Sequence, residues 1–260
     1  MTATRRFDGK HVIVTGAGTG IGRAIAERLA SEGALLTLFA RDAARLDATA
    51  AALPAAASVH VASLDIRDRA AVDAAFGAAA QRNGSVYALV ANAGIGGENR
   101  PGDDDRFDDL IATNLTGTYN CVRAAERHLA SGPDARHLVI VASVLARIGV
   151  PGYTGYCASK AGLLGLARAL AAELAESNVQ VNAVCPGWVD TEMARQGIAG
   201  MAQGMGTTYQ QAYELAMSAV PMRRMSNPAD IAGLVAWLLS SDARGVTGQG
   251  LDMNGGSFMI

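Results

Sequence analysis

The chain has 260 residues, 22 Lys and Arg against 24 Asp and Glu, 3 Cys, 30 Gly and 50% hydrophobic residues. The formal net charge of −2 argues against a nucleic-acid or anionic-membrane surface as main partner, and a chain this long folds without disulfide or metal staples. Cys121, Cys157 and Cys185 are widely spaced and lie near none of the four His, so no metal site is expected.

The opening Met-Thr-Ala-Thr-Arg-Arg-Phe-Asp has no apolar signal core. No apolar run approaches the roughly 18 residues of a membrane span. The expectation is a cytoplasmic single domain spanning 1–260.

In chain order, His11–Thr15 reads as a buried strand and Ile21–Ser31 as a helix. Leu35–Ala40 and a helix near Asp42–Ala52 follow, then Val59–Leu64 and Arg69–Gln81. Next come Val86–Ala91, one long helix from about Asp103 to Ala130, and His137–Ala142. Tyr156–Glu176 is a helix and Val179–Val184 a strand, with helix Pro228–Ser240 and strand Gly250–Met253 at the end. Strict alternation of short β-branched runs with Ala/Leu-rich helices predicts α/β architecture. The sheet is parallel, doubly wound and Rossmann-type, with about seven strands.

Two segments break the rhythm. The acidic run Asp103, Asp104, Asp105, Asp108 and Asp109 reads as carboxylates at a helix start, capping free N–H groups, rather than as a cation site. The stretch from about 190 to 222 carries Met193, Met201, Met205, Met217 and Met222, with glycines at 197, 200, 204 and 206. Adaptable Met and permissive Gly predict a mobile helical substrate lid, against the plainer alternative of a helical pair packed on the core.

Between the first strand and helix lies Thr15-Gly16-Ala17-Gly18-Thr19-Gly20-Ile21-Gly22. Glycines permit close backbone approach, and the helix N-terminus offers N–H groups to a pyrophosphate, so Gly16, Thr19, Gly20, Ile21 and Gly22 are candidate dinucleotide contacts. The second strand ends Phe39-Ala40-Arg41-Asp42. An acidic side chain at this point would bond a ribose 2′-hydroxyl; here Ala40 stands there and Arg41 follows, able to hold a phosphate, which favours NADP(H) over NAD(H).

Tyr156-Cys157-Ala158-Ser159-Lys160 places a phenol and an ammonium at i and i+4 on one helix face. A nearby ammonium favours the phenolate and is expected to lower the tyrosine pKa toward an acid/base range. Ser143 follows an apolar strand, at the carboxyl end where open α/β sheets place their sites.

With these motifs together, the chain resembles the short-chain dehydrogenase/reductase family over essentially its whole length. The matching residues are the Thr15–Gly22 loop, Asp65, Asn92-Ala93-Gly94, Asn114, Ser143, Tyr156, Lys160, Pro186-Gly187 and Thr191. The resemblance implies that Tyr156 gives a proton to a carbonyl oxygen that Ser143 holds, and that Lys160 binds the nicotinamide ribose. It implies that Asn114 anchors a water relay, that Asp65 with Ile66 meets the adenine, and that Asn92, Ala93 and Gly94 line the ribose. Pro186, Gly187, Val189 and Thr191 are implied to contact the nicotinamide. A homo-oligomer, by resemblance a homotetramer, is expected from the apolar faces of the long helices.

Substrate selection is assigned to Val144, Leu145, Tyr153, Trp188 and Met193, an apolar set. The pattern is close to 3-oxoacyl-thioester and polyketide ketoreductases, with the expected substrate an apolar ketone or a 3-oxoacyl thioester. One departure is Ser177-Asn178, where reductases acting on carrier proteins often have an Arg. Arg123, Arg127 and Arg136 are the substitutes the sequence offers. An NAD-dependent alcohol or polyol dehydrogenase and a non-catalytic dinucleotide sensor are the alternatives, the second opposed by the presence of Asn114, Ser143, Tyr156 and Lys160 together.

Overall fold

The computed structural model describes residues 5–260; Met1–Thr4, part of the opening stretch read for a leader, lie outside the described residues. Strands β1 (His11–Thr15), β2 (Leu35–Ala40), β3 (Val59–Ser63), β4 (Ala88–Ala91), β5 (Arg136–Val141), β6 (Val179–Pro186) and β7 (Gly250–Met253) form one sheet. It has seven strands in the order β3-β2-β1-β4-β5-β6-β7, and every neighbouring pair is parallel. The order reverses between β1 and β4, and open parallel sheets bind ligands in the crevice beyond the carboxyl ends of strands at such a reversal.

Strand side chains alternate between two cores, which is why the runs read as continuously apolar. Val12 and Val14 of β1 join Ile25 and Leu29 of α1 (Gly20–Ser31), Leu46 of α2 (Ala43–Ala52) and Ile231 and Val235 of α9 (Pro228–Leu238). Ile13 faces the other side with Phe76 of α3 (Arg69–Asn83) and Leu163 and Leu170 of α6 (Thr154–Leu174). On that side Phe39 and Phe76 stack with ring centroids 5.4 Å apart. No helix among the described residues is long and apolar enough to cross a membrane.

The segment expected as one helix from Asp103 to Ala130 is three pieces: α4 (Phe107–Ile111), a π-helical turn Ala112–Gly117, and α5 (Thr118–Glu126). Asp103, Asp104 and Asp105 precede the helix, and the Asp105 carboxylate accepts the Phe107 N–H at 3.0 Å. Asp108 and Asp109 occupy the first turn, so the capping account holds for part of the run. The 192–220 region forms α7 (Glu192–Met205) and α8 (Tyr209–Ser218). They pack on each other through Ile198, Ala202, Ala212, Ala216 and Met217, a satellite cluster separate from both sheet cores.

Candidate active site

The glycine loop is fastened to the end of β4. The Thr15 hydroxyl accepts the N–H groups of Asn92 and Ala93, each at 3.1 Å, and the Asn92 amide donates to the Thr15 and Gly16 carbonyls, each at 3.1 Å. Gly16 has φ +67°, and a Cβ there would stand 2.7 Å from the Ala93 Cα; one at Gly22 would stand 2.2 Å from the Gly16 carbonyl oxygen. Any side chain at either position would push α1 off the strands. Thr19, the N-cap of α1, makes no side-chain cap bond, so the first-turn N–H groups at Gly20, Ile21 and Gly22 remain available to an anion. A Cβ on Gly20 would lie 3.0 Å from the Thr191 methyl, so Thr191 borders the same loop. This open helix N-terminus fits a dinucleotide pyrophosphate.

At the other end of the crevice, Arg41 is exposed beyond β2, its backbone oxygen fixed by the Ser63 hydroxyl at 2.7 Å. Its neighbour Arg45 is committed, with an Asp42 contact at 3.3 Å and a Glu192 contact at 2.8 Å. Asp65 is gripped by Arg67 through its carboxylate (2.6 Å) and the Arg67 N–H (3.0 Å), and that guanidinium holds its carboxyl below the usual range. Ile66 is buried, with its carbonyl accepting the Asn120 amide at 3.1 Å.

The reactive side chains converge beyond β5. Ser143 is buried just after the strand, and its hydroxyl oxygen accepts the Leu145 N–H at 3.1 Å. Lys160 is buried with its ammonium 2.9 Å from the Val141 carbonyl oxygen and 5.7 Å from the centre of the Tyr156 ring. Burial holds the Tyr156 phenol above its ordinary value, while the Ser143 hydroxyl beside it pulls the other way. The net direction is therefore set by burial, opposite to the lowering expected from the ammonium. Desolvation instead brings Lys160 down to about 8. Taking a charge or potential charge out of water outweighs a single ammonium at this spacing.

Asn114 sits fully buried in the π turn. Its oxygen accepts the Ile95 N–H at 2.8 Å, and its amide donates to the Ile95 carbonyl at 3.0 Å and the Ser159 hydroxyl at 3.1 Å. It thus ties the segment after Gly94 to α6 beside Lys160. A Cβ on Gly94 would stand 3.0 Å from the Asn114 oxygen and 3.5 Å from the Lys160 nitrogen.

Beyond β6, the Gly187 N–H donates to the Met253 carbonyl at 3.1 Å, which aligns Pro186-Gly187 with β7. Val189 bridges Ser226, and Thr191 caps α7 by accepting the Ala194 N–H. Of the expected pocket residues, Tyr153 meets Tyr156 edge-on with centroids 6.5 Å apart. Met193 reaches over to Gly96, where a Cβ would stand 2.9 Å from its sulfur. Leu145 is half-buried. Val144 is buried, and Trp188 packs into the α7–α8 cluster.

One contributor had no motif to announce it. Asn99 is buried, its oxygen accepts the Gly155 N–H at 2.8 Å, and its amide donates to Asp105 and Thr154, each at 3.0 Å. The N-cap position of α6, Tyr153, makes no side-chain cap bond, so Asn99 caps the catalytic helix from another loop. The only signal was an amide in a polar loop.

Comparison with known proteins agrees with this geometry. The family model described as enoyl-(acyl carrier protein) reductase matches residues 16–257. The monensin polyketide synthase putative ketoacyl reductase of Streptomyces virginiae is 38% identical, covering 94% of this chain and 95% of its own. The 3-oxoacyl-[acyl-carrier-protein] reductase MabA of Mycobacterium tuberculosis H37Rv is 33% identical, covering 97% and 94%. Among solved structures, an NADPH-bound actinorhodin polyketide ketoreductase variant superposes with TM-score 0.89 at 33% identity, covering 98% of each chain. Levodione reductase gives 0.88 at 31%, covering 96% and 98%. With a family model matched over most of its length and reductases 33% and 38% identical along nearly the whole of it, the chain belongs to the short-chain dehydrogenase/reductase family of oxidoreductases.

Proposed function

We propose that the protein is an NADP(H)-dependent carbonyl reductase that interconverts an apolar ketone or 3-oxoacyl thioester and a secondary alcohol, with Tyr156 as acid/base. The observation that carries this reading is the buried Lys160 ammonium, 5.7 Å from the centre of the Tyr156 ring, beside Ser143. Hydride for the carbonyl carbon would come from NADPH held by the glycine loop and the residues beyond β4 and β6.

The chain's own residues manage the proton. Tyr156, a neutral phenol at pH 7 whose pKa burial holds above its ordinary value, donates its phenolic proton to the carbonyl oxygen as the alcohol forms. Ser143 orients that oxygen through a hydrogen bond. Lys160, with a pKa of about 8, is mostly ammonium at pH 7 and stabilises the phenolate left behind. Its ammonium also serves the nicotinamide ribose. Asn114, in the π turn, anchors the relay by which a proton returns from solvent.

Gly16, Thr19, Gly20, Ile21 and Gly22 would hold the pyrophosphate and Arg41 the 2′-phosphate. Asp65, Ile66, Asn92, Ala93 and Gly94 would line the adenosine. Pro186, Gly187, Val189 and Thr191 would bound the nicotinamide, so that one ring face meets the substrate. The α7–α8 pair would act as the lid over a pocket formed with Leu145, Tyr153 and Met193, with Val144 and Trp188 behind it. Its separate apolar cluster supports movement as a unit. NADPH in the actinorhodin ketoreductase structure supports the cofactor reading. A cytoplasmic homotetramer is the state proposed for the working enzyme.

The test is dinucleotide consumption with an apolar cyclic ketone and with a 3-oxoacyl thioester, using NADPH and NADH in parallel. Turnover with NADPH in preference to NADH is expected. No turnover of either carbonyl compound with either dinucleotide would overturn the reading.

A further inference from the structure

The loop after Gly94 and the disposition of the chain's cations bear on which carbonyl compound reaches Tyr156. Residues 98–109 carry six carboxylates against two cations, Arg100 and Arg106. This loop belongs to the mouth of the site. The Asn99 N–H donates to the Gly152 carbonyl at 2.8 Å, and a Cβ on Gly152 would stand 3.8 Å from the Glu98 carboxyl carbon. Burial and then the Glu98 charge raise the Tyr153 phenol, and the Tyr153 ring touches that of Tyr156. Glu98, Asp103 and Asp104 line one cleft of about 400 Å³. Negative charge therefore stands two side chains from the proton donor.

It is offset only in part, by Arg100 and Arg106 within the loop and by Arg67, 3.7 Å from Asp109. The chain has only two lysines: Lys160 is buried, and Lys10 lies over the Tyr87 ring at the amino ends of the central strands β1 and β4. Arg100 pairs with Glu98 at 3.0 Å, and Arg106 donates to the Gly96 carbonyl at 3.3 Å. On α7, Arg195 pairs with Asp190 at 2.9 Å.

The three arginines that the sequence offers for docking an acidic carrier are engaged as well. Arg123 is held by Glu126 at 2.8 Å and Glu173 at 2.9 Å, and Arg127 by Asp73. Arg136 is buried, donating to the carbonyls of Gly132, Asp134 and Ser177. An acidic partner would compete with these contacts for the same guanidinium groups. Meanwhile Met193, at the pocket, is 48% exposed, an apolar surface suited to an uncharged body.

We infer that the substrate is a free, uncharged apolar ketone, and that the mouth disfavours the same carbonyl group carried on polyanionic coenzyme A or on an acidic carrier protein. The inference rests on the carbonyl-reductase reading and narrows it. Like charge at a site entrance slows encounter as opposite charge speeds it, by about tenfold or more at low salt, and the effect fades as the Debye length falls from about 10 Å at 0.1 M salt to about 3 Å at 1 M.

The test presents one 3-oxobutanoyl group three ways to the full-length enzyme with NADPH: as the neutral N-acetylcysteamine thioester, as the coenzyme A thioester and as the acyl carrier protein thioester. A neutral cyclic ketone is the fourth substrate. The expected result is kcat/KM at least about tenfold lower for the two charged forms than for the neutral thioester at low salt, with the gap narrowing as salt rises. The double variant Asp103→Asn, Asp104→Asn is expected to raise kcat/KM for the charged forms while leaving that for the neutral thioester unchanged. Coenzyme A or carrier thioesters turned over as well as the neutral thioester, or a gap indifferent to salt and to the double variant, would overturn the inference while leaving carbonyl reduction intact. Silence with all four substrates would instead overturn carbonyl reduction, and the inference with it.

Discussion

The Asn99 side-chain oxygen accepts the Gly155 N–H at 2.8 Å, so the helix that carries Tyr156 and Lys160 is capped by a residue from the loop after β4. The other end of the same amide holds Asp105 at 3.0 Å. The mouth loop and the catalytic helix are thereby one hydrogen-bonded unit. Asn99→Ala should cost about 1–2 kcal/mol of stability, the range for a lost cap with a buried donor left unpaired. Because it frees the first turn of α6, kcat should fall while KM for NADPH stays near the wild-type value. A wild-type kcat in a measurably destabilised variant would reduce Asn99 to a purely structural role.

Arg41 is exposed beside the crevice while Arg45 is already paired. Removing a guanidinium that meets a phosphate costs about 1.5–3 kcal/mol. Arg41→Ala should therefore raise KM for NADPH by roughly 10- to 100-fold and change KM for NADH little. Equal changes in both constants would remove the 2′-phosphate from the account.

Burial brings Lys160 from 10.5 down to about 8. Its ammonium is then lost as pH rises through about 8, well below the range of an exposed lysine. The rate of carbonyl reduction should be level near pH 6–7 and fall above 8, as the charge that stabilises the phenolate disappears. Lys160→Met should abolish that limb along with most of the rate. An alkaline limb near 8 that persists in Lys160→Met would assign it to another group.

His137 is 2% exposed, its Nδ1 has no partner among the described residues, and burial followed by the charges of Lys10 and Arg136 pushes it down to about 4. An unfolded histidine takes its proton near pH 6.5, whereas the native one resists until about pH 4. Over that window the unfolded state binds more protons, so the native state loses stability as pH falls, by up to about 3 kcal/mol at pH 4. Denaturant midpoints between pH 7 and 4 check this, and His137→Phe should flatten the slope. An unchanged slope in that variant would place the acid sensitivity elsewhere.

Alternation of strand and helix was legible because the central strands are buried on both faces and so carry short, mostly apolar runs. The glycine loop and the Ser143, Tyr156 and Lys160 set were legible because their spacing is local. Asn99 was not, since its partner Gly155 lies 56 residues away and no local pattern records a cap supplied by another loop. The break in the helix after α4 was also hidden. Thr113, Asn114, Thr116 and Gly117 are weak helix formers, but no local pattern distinguishes a π turn from an α turn, and it is the tertiary tie of Asn114 to Ile95 and Ser159 that accompanies the wider turn. The sign of the Tyr156 shift is not legible, since sequence shows the neighbouring ammonium but not the burial that opposes it.

The proposed mechanism depends above all on the Tyr156 phenol delivering the proton. Its most direct test is Tyr156→Phe, assayed for NADPH consumption with a ketone that the wild type reduces, alongside NADPH binding by fluorescence. A loss of about 10²- to 10⁴-fold in kcat with NADPH still bound is expected. Near wild-type turnover in Tyr156→Phe would contradict it.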